Sequence, residues 1–191
     1  MAEIVPTILA TTPGEYHDRL DKVAGHTKRI HVDISDGIFA PNKTINLAQV
    51  YVPEGVELDI HLMVKDPMSY LESALALKPN LIIVHAEADG DHTKCIKEIQ
   101  SFGVDAGVAY LPQTKPNDLL TNADHVLVFT GNLGHYGGVL DKEQLHKIHQ
   151  ARDINPDIEV SIDGGVNAEN APDLQADVLY VGSAYLAMVG E

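Results

Sequence analysis

The sequence predicts a closed (β/α)8 barrel of parallel strands, a TIM barrel. Eight short β-branched runs are bounded by turn residues, their starts lie 20 to 33 residues apart, and helix-start signals stand between them. That spacing suits a strand, a crossover helix and two short loops, the repeat from which parallel sheets are built. Eight such units in one chain favour closure over an open doubly wound sheet.

The runs are Ile4 to Leu9, Arg29 to Asp33, Glu57 to Met63, Leu81 to His85, Asp105 to Tyr110, His125 to Thr130, Ile158 to Asp163 and Val178 to Gly182. After the first, Thr12-Pro13-Gly14-Glu15 reads as a capping box with proline at the first helical position. Asp66-Pro67 repeats the cap-then-proline arrangement after the third, and Asp141-Lys142-Glu143-Gln144 is a further start after the sixth. Tyr70, Leu71, Ala74, Leu75 and Leu77 follow helical spacing, as do Cys95, Ile96, Ile99 and Phe102, so each set should face the strands. Cys95 reads as a packed helix residue.

The chain, residues 1–191, is read as one domain with a trimmed outer ring. Its length falls below the usual barrel range of about 200 residues or more. The segment 46–54 has room for at most a short helix. Only nine residues follow Gly182, so the eighth helix should be missing or reduced to a turn. That shortening should uncover the apolar outer face of the first and last strands. A second copy of the chain is one remedy, which puts a homo-oligomer among the expectations.

Composition narrows the partners. Lys plus Arg is 13 against 28 for Asp plus Glu, a formal charge of −15, so nucleic acid and anionic membranes would be repelled. No apolar run reaches membrane-spanning length, and the first residues carry an acid where a secretion signal carries bases. A lone cysteine excludes an intrachain disulfide, and a cytoplasmic setting is expected.

In such a barrel the carboxyl ends of the strands face the active site. The second strand ends His31-Val32-Asp33, the third holds His61-Leu62-Met63, the fourth ends in His85 and the seventh ends in Asp163. Side chains alternate along a strand, so His31 and Asp33 share a side. If that side is the barrel axis, His31, Asp33, His61 and Asp163 converge. Two imidazoles and two carboxylates suit one divalent metal ion such as zinc, iron, manganese or cobalt. Glycines supply the second signal. Gly164-Gly165 follows the seventh strand, Gly182-Ser183 the eighth, and Gly131 to Gly138 the sixth, where barrel enzymes frequently bind phosphate through backbone N–H groups. The Gly131 to Gly138 loop reads as a lid or a further phosphate clamp. His146 and His149 read as solvated helix surface, His17, His26 and His92 as residues without partners, and His135 as a lid residue within reach of a ligand.

Pro6-Thr7-Ile8-Leu9-Ala10, His31-Val32-Asp33-Ile34-Ser35-Asp36-Gly37 with Pro41-Asn42, His61-Leu62-Met63-Val64, Val84-His85-Ala86-Glu87-Ala88 and Asp163-Gly164-Gly165-Val166-Asn167 form an ordered set. On these segments the chain resembles the ribulose-phosphate 3-epimerase family over nearly its whole length. The resemblance implies an isomerase of the pentose phosphate pathway that interconverts D-ribulose 5-phosphate and D-xylulose 5-phosphate by inverting carbon 3. It implies a divalent metal on His31, Asp33, His61 and Asp163, with Asp33 and Asp163 as the acid/base pair. It places the phosphorylated ketopentose against Thr7, His61, Met63, Gly137, Gly138, Gly164, Gly165, Gly182 and Ser183, and leaves His85 to support the ligand set. The sequence departs from the family at Thr7 (usually Ser), at Ser35 and Phe129 (usually Met), and by one residue inserted in the loop 132–138. A ketohexose-phosphate epimerase acting on allulose 6-phosphate, and an inactive barrel that only binds a sugar phosphate, are the competing readings. A related decarboxylase would carry a lysine between the acids after the second strand, where Asp33-Ile34-Ser35-Asp36 has none.

Overall fold

Strand-sized β-branched runs need two covered faces, and in the computed structural model, which describes residues 2–191, a closed barrel provides them. The strands are β1 (Glu3–Ile8), β2 (Arg29–Ser35), β3 (Glu57–Met63), β4 (Leu81–His85), β5 (Asp105–Tyr110), β6 (His125–Phe129), β7 (Glu159–Asp163) and β8 (Val178–Val181). Each pairs in parallel with its sequence neighbour, and β1 with β8 closes the ring through Glu3 opposite Val178. β2 and β3 pair over seven residues, with Asp33 opposite His61.

Between them lie α1 (Pro13–Val23), α2 (Leu71–Leu75), α3 (His92–Ser101), α4 (His146–Ile154) and α5 (Tyr185–Val189). Thr12 caps α1 through Glu15 N–H at 3.2 Å, as the capping box requires, but the Glu15 carboxylate takes Thr11 N–H at 2.8 Å, one residue further back. Asp141 caps its turn at Glu143 N–H. Asp66 makes no side-chain cap, and the chain from Pro67 to Tyr70 winds as a 3-10 turn before α2 begins. The connections 47–49, 118–121 and 171–173 hold single 3-10 turns, which is where the ring is trimmed. No helix is long and apolar enough to cross a membrane.

Two of the expectations fail here. Phe102 falls just beyond α3 and is 63% exposed, while Cys95, Ile96 and Ile99 are buried as expected. The outer faces of β1 and β8 are not bare: Ile8, Leu179 and Val181 are buried, and Tyr185 of α5 is buried in the same core cluster, its hydroxyl donating to His26 O at 2.9 Å. That face is thus covered within the chain.

Inside the barrel, Val5, Leu81, Ile83, Ala109, Leu127, Val178 and Tyr180 form an apolar layer. Below it a polar network seals the amino-terminal end. Arg29 Nε donates to Asp59 Oδ2 at 2.7 Å and Nη1 to Glu3 at 3.0 Å, and Tyr180 donates to the same Asp59 oxygen at 2.8 Å. His125 bridges Glu159 at 2.7 Å and Ser161 at 2.6 Å. The apolar layer therefore supports the opposite, carboxyl-terminal mouth from below.

Candidate active site

At that mouth β2 supplies His31 and Asp33, β3 His61, and β7 Asp163. One ligand atom from each lies within 4.8 Å of all the others. Both imidazoles converge on one carboxylate oxygen: Asp33 Oδ1 stands 3.1 Å from His31 Nε2 and 2.9 Å from His61 Nδ1. The alternation that put His31 and Asp33 on one side of a strand thus turns both toward the axis. Both histidines are fully buried. His61 therefore forms part of the floor rather than the pocket wall, whereas its expected role included touching substrate.

The two carboxylates are driven in opposite directions. Burial alone would raise both, but hydrogen bonds from His31 and His61 hold Asp33 well below the usual carboxylate range. Asp163 has burial and the charge of Asp33 against it and is pushed up to about 7. The four residues fit a divalent metal on chemical grounds. Two imidazole nitrogens and two carboxylates are a suitable donor set, and a cation between the acids would relieve the repulsion that keeps Asp163 protonated.

Sequence reasoning missed how these side chains are held. His61 Nε2 lies 2.8 Å from His85 Nε2. The other His85 nitrogen faces Glu87 Oε2 at 3.5 Å, and Glu87 Oε1 accepts Leu111 N–H at 2.9 Å. Burial pulls the His85 imidazole down to about 4, so it is neutral, and one of the two facing Nε2 atoms donates to the other. A histidine whose far nitrogen is hydrogen-bonded in this way is fixed in orientation. Tyr180 lies across His31 with ring centroids 3.8 Å apart and carries the contact down to Asp59. The signal for Glu87 was available, two residues after His85, but its target depends on the register of β4 against β5.

A pocket of about 150 Å³ opens above Asp33 and Asp163. Thr7, Met63 and Phe129 line it, together with Gly137, Gly138, Gly164, Gly165, Gly182 and Ser183. The structure therefore brings eight of the nine expected substrate contacts to one cavity, all but His61. Ser35 lies outside it, accepting Gly37 N–H at 3.3 Å. Gly164 and Gly165 both take positive φ, +115° and +72°, and a Cβ on either would collide with the backbone of Gly131 or Leu140, so the β7 loop passes hard against the β6 loop. The 131–138 loop is tied across the mouth by Asn42 Nδ2 donating to Gly134 O at 3.0 Å. His135 lines the pocket and is exposed, while His146 and His149 are exposed on α4.

Residues 3–186 match the family model described as Ribulose-phosphate 3 epimerase family. The chain is 31% identical to the ribulose-phosphate 3-epimerase of Bacillus subtilis (strain 168), over 96% of this chain and 92% of the relative. It is 31% identical to that of Schizosaccharomyces pombe, over 96% and 86%. Among solved structures, 3-hexulose-6-phosphate synthase superposes with a TM-score of 0.71 at 16% identity, covering 98% of this chain and 96% of the other. The 3-keto-L-gulonate-6-phosphate decarboxylase of Vibrio cholerae gives 0.69 at 13% identity, covering 95% and 87%. At such identities these two establish the barrel alone.

Proposed function

Because the chain belongs to the ribulose-phosphate 3-epimerase family, and is thereby an isomerase, we propose that it interconverts D-ribulose 5-phosphate and D-xylulose 5-phosphate by two-base proton transfer at carbon 3. The observation that carries this reading is the pair of carboxylates, Asp33 from β2 and Asp163 from β7, brought to one pocket. Inversion requires a proton to leave one face of the carbon and another to arrive at the opposite face, so it needs one base and one acid at the same moment.

In the forward direction the Asp33 carboxylate takes the carbon 3 proton and Asp163, protonated from solvent once substrate is bound, returns one from the other side. The reverse reaction exchanges their roles. His31, Asp33, His61 and Asp163 would hold the divalent metal. When bound it supplies positive charge beside the carbonyl and hydroxyl oxygens, where the ene-diolate accumulates negative charge. His85, against His61 Nε2, keeps the His61 ring turned toward Asp33. Backbone N–H groups of the Gly137-Gly138, Gly164-Gly165 and Gly182-Ser183 turns bind the phosphate. Phe129 and Met63 exclude water from the reacting carbons.

The test is proton exchange in heavy water. Metal-loaded protein with D-ribulose 5-phosphate should place deuterium at carbon 3 as D-xylulose 5-phosphate appears, followed by NMR. Asp163→Asn should lower turnover by about 10³-fold, since an amide is neither acid nor base. Turnover without exchange, or an unimpaired Asp163→Asn, contradicts the two-base reading.

A further inference from the structure

A phosphate ester is a dianion, and the pocket that would receive it is lined by no Lys or Arg among the described residues; Asp33 and Asp163 contribute negative charge instead. A second cleft of about 340 Å³ adjoins it. Thr7, Tyr136, Gly182 and Ser183 belong to both walls, and the second cleft adds Arg19 and Lys22 from α1. Two contacts, each itself braced, fix the Arg19 guanidinium there. Its carbon stands 3.8 Å from the centre of the Tyr136 ring. That ring also lies against Gly182, close enough that a Cβ there would come within 3.1 Å of Tyr136 Cε2. Nη2 is paired with Glu15 at 2.6 Å, and Glu15 is itself anchored by Thr11 N–H at 2.8 Å. These contacts leave Arg19 Nη1 buried and without a hydrogen-bond partner. A buried, unpaired donor on a charged group is costly, and an anionic oxygen would satisfy it. Glu15 offsets one of the two cations, so Lys22 leaves the cleft with a net positive charge.

We propose that Arg19, held between Glu15 and Tyr136 behind the Gly182-Ser183 turn, is a binding residue for the phosphate group of the substrate. The assignment rests on the reading that the substrate is a phosphate ester, and it makes Arg19 and Lys22 the side-chain cations of a seat otherwise built from backbone N–H groups. It also gives the inserted loop a task, because Tyr136 brings that loop onto the guanidinium.

The test compares wild type, Arg19→Met and Arg19→Lys as metal-loaded proteins, with inorganic phosphate as the probe in calorimetric titration and D-ribulose 5-phosphate in steady-state kinetics. Arg19→Met should weaken phosphate binding about 10-fold and raise KM by a similar factor, with kcat within about 2-fold. Arg19→Lys should recover part of both. Thermal melts by circular dichroism establish that each variant is folded. Equal phosphate affinity in wild type and Arg19→Met overturns the assignment, as does a fall in kcat at unchanged KM, which would make Arg19 a clamp on the loop only. Wild-type protein that binds phosphate but does not turn over the pentose phosphate would sink the proposed reaction, while the phosphate titration would still decide the role of Arg19.

Discussion

Asp33 and Asp163 share one small volume yet titrate in opposite senses because only Asp33 receives imidazole hydrogen bonds. The sign of the consequence follows. Below about pH 7 the Asp163 carboxyl is protonated in the metal-free protein, so binding a cation there must expel that proton. Affinity for zinc or manganese should rise about 10-fold per pH unit toward pH 7 and flatten above it. Competition against a chelator at pH 5.5, 6.5 and 7.5 measures this, and a pH-independent constant contradicts it. The four converging residues were legible in the sequence because strand alternation and strand ends suffice to aim them. Of the groups behind them, only His85 was legible as support, and its partner was not. His85 meets His61, Arg29 meets Asp59 and Arg19 meets Tyr136 only through register and loop packing, which no local spacing encodes.

Among the elements, α5 carries the most structural consequence for its length. Tyr185 is buried, bonds His26 O and covers the junction where β8 meets β1. Tyr185→Ala should cost about 3 kcal/mol by urea denaturation, from the cavity and the lost bond together, and leave metal uptake unchanged. A loss below about 1 kcal/mol would mean that other residues cover the junction. The eight strands could be read in advance to within a residue or two at each end, since their pattern and their burial have the same cause. The outer ring was less legible. Asp66-Pro67 has the letters of a helix start, but the chain there winds as a 3-10 turn, and Phe102 kept helical spacing one residue past the point where α3 stops. The reduced eighth helix was legible from the few residues after Gly182, but the burial of Tyr185 within it was not.

Across the whole molecule, the two ends of the barrel are polar for different purposes. The mouth holds acids and imidazoles beside a cavity, whereas the base pairs Arg29 with Asp59, Glu3 and Glu159. Arg29→Met would strand the fully buried Asp59 carboxylate and should cost about 3–5 kcal/mol. Arg29→Met with Asp59→Asn should recover part of that loss in the same denaturation experiment; equal losses in both would show that the charge on Asp59 is not the cause. Closure carries a kinetic consequence as well. Glu3 bonds beside Val178, so the ring is sealed by residues from opposite ends of the described chain, and Asp163 joins His31 and Asp33 only when β7 has docked. Loop-closure entropy must be overcome before those contacts form. Refolding should therefore end in a slow step, and metal added to the denatured chain would find its fourth ligand only after that step.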